Sequence, residues 1–149
     1  MLTKGIVMSW SEETIKKLRK RALGRRMSPM EKVIMNLLRD YKIAYTREYM
    51  NVTLLNPKTK YPLYIDFYIP KYDLAIEYDG KQHFQDKNAK RLKEQKFRDS
   101  IKDIWCQVNN IDLLRISYLE QDKIIKIITK KLNEKGFTNN RSSKRGKGI

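Results

Sequence analysis

The chain has almost none of the residues that staple or bridge small proteins. Its 149 residues contain one cysteine, Cys106, and one histidine, His83. A single cysteine excludes an intramolecular disulfide and a cysteine-based zinc site, and it fits a reducing compartment. No apolar run approaches the roughly 20 residues a membrane-spanning helix needs. The opening segment, MLTKGIVMSW, is too short in apolar content for a signal peptide and passes soon into charged residues. These absences predict a soluble intracellular protein with no membrane partner. Acidic residues are also scarce: 17 Asp and Glu stand against 33 Lys and Arg, a formal net charge of +16. A field of that sign draws in polyanions, of which DNA and RNA are the commonest. Charge alone does not separate that reading from a merely basic soluble protein or a ribosomal-type binder.

Because acids are few, their positions carry weight. Residues 61–84 read YPLYIDFYIPKYDLAIEYDGKQHF. Asp66 stands between Ile65 and Phe67, and Glu77 between Ile76 and Tyr78. A carboxylate inside a buried strand is costly unless it is paired or holds a metal. The spacing predicts a strand over 63–69, with Ile65, Phe67 and Ile69 on one face and Tyr64, Asp66 and Tyr68 on the other. After a turn at Pro70-Lys71, a strand over 73–79 points Ala75, Glu77 and Asp79 one way and Leu74, Ile76 and Tyr78 the other. Asp66 and Glu77 then meet across an antiparallel pair, within reach of one cation. Gly80 turns the chain tightly, and Lys81-Gln82-His83 leaves the sheet.

The remainder reads as helices around that hairpin. Residues 9–23 form a first helix, with Ser9 and Glu12 at capping-box spacing and Ile15, Leu18 and Ala22 at helical intervals. Its other face carries Lys16, Lys17, Arg19, Lys20 and Arg21, with Arg25 and Arg26 just beyond. A one-signed run of this kind favours a phosphate-contacting arm over a merely solvated face. Ser28, Pro29 and Glu31 suit the N-cap, first and third positions of a second helix. On that reading alone Glu31 does no more than close a capping box. A strand is expected over 43–55, a turn over 56–60, and a long basic helix over 86–109. That helix places Ala89, Leu92, Phe97, Ile101, Ile104, Trp105 and Val108 roughly on one side. Lys87, Lys90, Arg91, Lys93, Lys96 and Arg98 populate its first half. A strand over 111–118 embeds Arg115, and a helix over 122–135 buries Ile124, Ile125, Ile127, Ile128 and Leu132. Residues 139–149 form a polar, basic tail expected to be disordered when free. This order predicts an α/β fold with a small mixed sheet flanked by helices, the long helix making a right-handed crossover. It divides the chain into a basic arm (1–27), a core (28–137) and a tail (138–149).

Hydrolysing a phosphodiester requires an activated water and neutralisation of developing charge, which Mg²⁺ or Mn²⁺ held by hard oxygen ligands supplies. Asp66 and Glu77 meet that demand, with the carbonyl of Tyr78 a further ligand, and His83 suits a general acid or base near neutral pH. The stretch IDFYIP…DLAIEYDGKQHF resembles the core of the PD-(D/E)XK nuclease superfamily. Its similarity is to the branch of very-short-patch repair endonucleases and phage or intron-borne homing endonucleases, and it continues through FRDSIKDIWCQVNNIDLLRISY. The resemblance covers roughly residues 28–118. It implies a restriction-endonuclease-like core and a Mg²⁺- or Mn²⁺-dependent DNA endonuclease, nicking or cutting both strands in homing or repair. Double-stranded or branched DNA is the implied partner and the cytoplasm of a bacterial or phage-infected cell the implied setting; cutting both strands takes either a homodimer or two successive nicks.

The resemblance also implies roles. Glu31 matches the acid on the first core helix that helps hold the metal or its water, Asp66 the central metal-binding aspartate, and Glu77 the second acidic position. Asp79 stands where many members carry lysine, so Lys81 or His83 takes that role. His83 and Asp99 match a histidine and helix aspartate that act together. The cysteine-rich zinc site of the repair enzymes is missing, so mismatch recognition of their type is not implied. Plainer readings stand beside these: Asp99 as an ion pair with Lys96 or Lys102, Asp79 as a turn residue, and His83 as a cap on the sheet. Lys102 and Arg115 suit contact with phosphate or only with local carboxylates or carbonyls. Two other functions also fit the pattern, a structure-specific nuclease on branched DNA and a non-catalytic DNA-binding protein on a degenerate nuclease scaffold. The missing lysine favours the last.

Overall fold

The structure is a computed structural model that describes residues 10–85 and 87–139, with the backbone but not the side chain of His83. The proposed Ser9 cap and the tail beyond Asn139 lie outside the described residues. Helix α1 (Glu12–Leu23) is capped by Ser11, whose hydroxyl accepts a 3.2 Å bond from the Thr14 N–H. That start places Glu12 and Glu13 in the first turn, where the helix dipole favours acids. Helix α2 (Pro29–Asp40) opens with the capping box expected of it: the Glu31 N–H donates to the Ser28 hydroxyl and the Ser28 N–H to the Glu31 carboxylate.

Strands β1 (Thr46–Leu55), β2 (Pro62–Ile69) and β3 (Leu74–Asp79) follow, then the short α3 (Gln82–Gln85), α4 (Ala89–Val108), β4 (Asp112–Ser117) and α5 (Ile124–Glu134). Asp73, expected to begin the third strand, instead takes a left-handed conformation (φ 44°) that closes the 3₁₀ turn Pro70–Tyr72. Asn88 caps α4, so the long helix starts after residue 86. The sheet order is β1-β2-β3-β4, antiparallel between the first three strands and parallel between β3 and β4. Helix α4 is the crossover that a parallel pair requires. The fold is therefore α/β, a mixed four-stranded sheet flanked by helices.

The sheet separates two apolar clusters. On one side Ile34 and Leu38 of α2 and Ile128 and Leu132 of α5 cluster with Phe67, Leu74, Ile76 and Ile116. On the other, Trp105 and Cys106 of α4 cluster with Leu54, Leu63, Ile65 and Ala75. β3 alternates as a strand should, Leu74 and Ile76 one way and Ala75 the other. Ile65 departs from expectation: it belongs to the α4 cluster, while Phe67 and Ile69 belong to the other. Strand twist accumulated along the β1–β2 hairpin carries its far end around toward α4.

Two helix faces also differ from the periodicity reading. In α4, Ile104 and Val108 are 56% and 49% exposed. The helix is turned so that Lys102 faces the sheet, and at about 100° per residue Ile104 then points away from it. In α5, Ile124, Ile128 and Leu132 are buried but Ile125 is 52% exposed, on the flank of the stripe. Arg47 ties the end of α1 to β1 through the Leu23 carbonyl (3.0 Å), and the Trp105 indole N–H donates to the Thr53 hydroxyl (2.9 Å). Among the described residues no helix is long and apolar enough to cross a membrane.

This orientation of α5 is testable by urea unfolding. Ile128→Ala should cost about 2–5 kcal/mol, whereas Ile125→Ala should cost roughly 0.5 kcal/mol or less. Equal losses would contradict it.

Candidate functional site

The site lies where β2 and β3 part. Their pairing runs from Ile69↔Leu74 to Phe67↔Ile76, and beyond it a side chain takes over: the Asp66 carboxylate accepts a 2.9 Å bond from the Tyr78 N–H. The fork opens on a cavity of about 420 Å³ whose lining includes Arg25, Glu48, Asp66, Glu77, Arg98 and Lys102. Asp66 and Glu77 therefore face one space. Asp66 also lines a neighbouring cavity of about 580 Å³, together with Glu31, Gly80 and Lys81.

Three carboxylates converge there. Glu31, Glu48 and Asp66 each offer an oxygen within 4.8 Å of the other two. Glu31 is delivered by the first turn of α2, where its capping-box bond to the Ser28 N–H (2.8 Å) occupies Oε2. Glu48 comes from β1. Its neighbours pair as Arg47↔Phe67 and Tyr49↔Ile65, which sets it opposite Asp66. Its backbone is left-handed, at φ 51°. Burial raises the Glu48 carboxyl above its ordinary value, and the Glu31 charge adds to the rise. Asp66 is raised well above the usual carboxylate range, first by burial and then by the Glu77 charge, against the pull of the Tyr78 N–H and Lys102. Glu48 was not singled out in the sequence. The signal for Asp66 and Glu77 was an acid with apolar residues on both sides, and Arg47 removes it at Glu48.

Glu77 is not a member of the three-carboxylate group; it is paired with Lys102 of α4 at 2.8 Å, with only 4% and 12% of the two side chains exposed. Burial raises the Glu77 carboxyl against the opposing pull of Lys102. Burial alone would lower the Lys102 ammonium, but Glu77 outweighs it and holds the lysine above its ordinary value. A cation thus reaches the second acid from the helix, while Lys81 is exposed on the neighbouring cavity.

The other two candidate acids are gathered elsewhere. Arg115 of β4 stands 3.5 Å from Asp79 and 3.7 Å from Asp99, bonds Asp103 at 2.9 Å, and donates to the Asp99 carbonyl at 3.0 Å. Gln95 also donates to the Asp99 carboxylate, at 2.9 Å. Among the described residues the ion pair of Asp99 is to Arg115, rather than to Lys96 or Lys102, because β4 brings a guanidinium under this face of α4. His83 sits in α3, and its expected partnership with Asp99 lies outside the described side chains.

The basic residues divide by position. Arg25 lies over the Tyr64 ring, 5.4 Å from its centroid, and Arg98 donates to Gln95 at 2.8 Å; both line the fork cavity. Lys16, Lys20 and Arg26 are exposed, Arg19 is half-buried, and Lys17 pairs with Glu13 at 3.2 Å. Lys87, Lys90 and Arg91 are exposed at the approach to α4 and its first turn.

No family model matches the chain, and no solved structure matches it. Similarity is found to two viral proteins. Uncharacterized protein 307L of Invertebrate iridescent virus 6 is 34% identical over 96 residues, which is 58% of this chain and 48% of that protein. Uncharacterized protein 033L of Invertebrate iridescent virus 3 is 36% identical over 70 residues, 44% of this chain and 36% of that protein. The matches thus span about half or less of these curated relatives.

Two outcomes follow from the buried charges. Lys102→Met should destabilise the fold by about 3–5 kcal/mol, since it strands a buried Glu77, and the added change Glu77→Gln should recover most of that loss. A single variant as stable as the parent in urea would contradict the pair. The raised carboxyls of Asp66 and Glu48 hold protons that the unfolded chain releases. Their contribution to stability is full below the ordinary carboxylate range and is lost as pH rises through the raised values. In EDTA, the decline in stability from about pH 5 to about pH 7.5 should therefore be shallower in Asp66→Asn than in the parent. An unchanged decline would refute the assignment for Asp66.

Proposed function

We propose that this chain is a metal-dependent DNA endonuclease whose reacting phosphate sits in the β2–β3 fork. The observation that carries the reading is the pairing at that fork: Asp66 and Glu77 face one cavity, and Glu77 holds a buried lysine at 2.8 Å. Two acids and a lysine around a space rimmed by Arg25 and Arg98 suit a phosphodiester better than an apolar or neutral ligand.

The donors fit a hard divalent cation. All are carboxylate oxygens, and Glu31 and Asp66 each fix one oxygen on a backbone N–H, leaving the other without a hydrogen bond among the described residues. Asp66 and Glu31, with Glu77 beside them, would hold Mg²⁺ or Mn²⁺. Such an ion lowers the pKa of a bound water and neutralises charge on a phosphoryl oxygen. The remaining work belongs to the chain. Lys102, oriented by Glu77, presents an ammonium at the cavity wall where negative charge grows on the phosphate. Arg25 and Arg98 position the flanking backbone without reading sequence, and the exposed basic residues of α1 extend that track. His83 enters as proton carrier on the sequence pattern alone. The lysine missing from the Asp79 position argued for a non-catalytic scaffold; a lysine supplied from α4 weakens that argument.

Supercoiled plasmid and branched duplexes, incubated with Mg²⁺ or EDTA, test the reading. Mg²⁺-dependent nicking is expected, lost in Asp66→Ala and reduced about 100-fold or more in Lys102→Met protein shown folded by circular dichroism. Arg98→Ala should weaken DNA binding in EDTA and reduce the slope of log affinity against log salt by about 1. Binding without cleavage under every metal tried would sink the proposal.

A further inference from the structure

One buried acid is used neither by the fold nor by the cleavage chemistry described above. Glu48 is 9% exposed and has no hydrogen-bond or ion-pair partner among the described residues. The other buried acids are accounted for: Glu77 has Lys102 and Asp79 has Arg115. Two arginines of this region are engaged elsewhere, Arg25 over the Tyr64 ring and Arg47 on the Leu23 carbonyl, and neither bonds Glu48. A carboxylate in that state is a standing penalty unless something absent from the chain itself completes it. Its oxygen is aimed at those of Glu31 and Asp66, within 4.8 Å of each.

We infer that Glu48 is a direct ligand of a divalent cation, and that Glu31, Glu48 and Asp66 form a three-carboxylate site for Mg²⁺ or Mn²⁺. Opposed oxygens around one Mg²⁺ stand about 4 Å apart, and around the larger Ca²⁺ about 5 Å. Small side-chain rotations therefore bring the three oxygens onto one ion. All-oxygen donors select a hard cation over zinc or copper. The assignment deepens the nuclease reading by moving the cation away from Glu77, which is left to hold Lys102.

The test titrates MnCl₂ into the full chain, following free Mn²⁺ by electron paramagnetic resonance and the melting temperature in parallel. The parent should bind one Mn²⁺ per chain and melt higher with it. Glu48→Gln should weaken Mn²⁺ binding roughly ten-fold or more and abolish the metal-dependent rise. It should melt no lower than the parent when metal-free, because it removes a buried carboxyl that lacks a partner. Glu94→Gln, an exposed acid of α4, should behave as the parent. Mn²⁺ affinity unchanged in Glu48→Gln, or no Mn²⁺ binding by the parent, would overturn the inference. So would a lower metal-free melting temperature in Glu48→Gln, which would make the residue structural. Mn²⁺ bound through Glu48 without any cleavage would leave the cation site standing and sink the nuclease reading. Metal-dependent nicking with unchanged Mn²⁺ affinity in Glu48→Gln would do the reverse.

Discussion

The buried ion pair between Glu77 and Lys102 sets the constraint that much of the molecule obeys. Two charges with little exposure, 2.8 Å apart, must stay together, because separating them strands a charge in a medium that solvates it poorly. The pair ties α4 to β3 at a defined rotation. That rotation brings Trp105 and Cys106 onto the sheet and leaves Ile104 and Val108 on the outside. Part of the helix's apolar surface is thus spent on placing one cation. The same pair shapes the electrostatics next door, where the Glu77 charge helps hold the Asp66 carboxyl high and Lys102 opposes it.

Acids are scarce in this +16 chain, and beside the Glu77–Lys102 pair several of them gather in two places. At one, Arg115 gathers Asp79, Asp99 and Asp103, joining β3, α4 and β4. That network has the marks of a lock: a forked guanidinium with a carboxylate on each approach and a backbone carbonyl besides. At the other, Glu31, Glu48 and Asp66 crowd together with only backbone N–H groups as partners, and Glu48 with none among the described residues. In the first place each carboxylate has the Arg115 guanidinium as a partner from within the chain. In the second, among the described residues, no side-chain cation bonds any of the three carboxylates.

How much was legible follows from the range of each signal. Asp66 and Glu77 stood out because apolar neighbours on both sides made a carboxylate anomalous. Glu31 was legible through its cap, and only the resemblance, not the residues around it, pointed to any further role. Glu48 gave no such signal: Arg47 beside it made the acid ordinary, and its left-handed backbone falls on a residue that does not advertise one. Lys102 was open to pairing with a local carboxylate, but nothing nearby in the chain picked out Glu77 as the one. The resemblance gave Asp79 and Asp99 their positions and Asp99 the partner His83, and the plainer reading gave Asp99 Lys96 or Lys102; among the described residues both pair with Arg115, on a strand still to come.

The sequence by itself determined the α/β order, the Ser28–Glu31 capping box, the turn over 56–60, the anomalous pair of strand acids and the net charge of +16. Each depends on residues a few positions apart, where propensity, capping and alternation act directly. Tertiary structure alone decided which charges meet: Lys102 with Glu77 across 25 positions, Arg115 with Asp79 across 36, and Glu48 with Glu31 and Asp66. Those choices rest on strand register, helix rotation and burial, none of which is a property of a local stretch of chain. The fork that looked like two costly carboxylates is, in the folded chain, three carboxylates in one cluster and a fourth held back by a lysine.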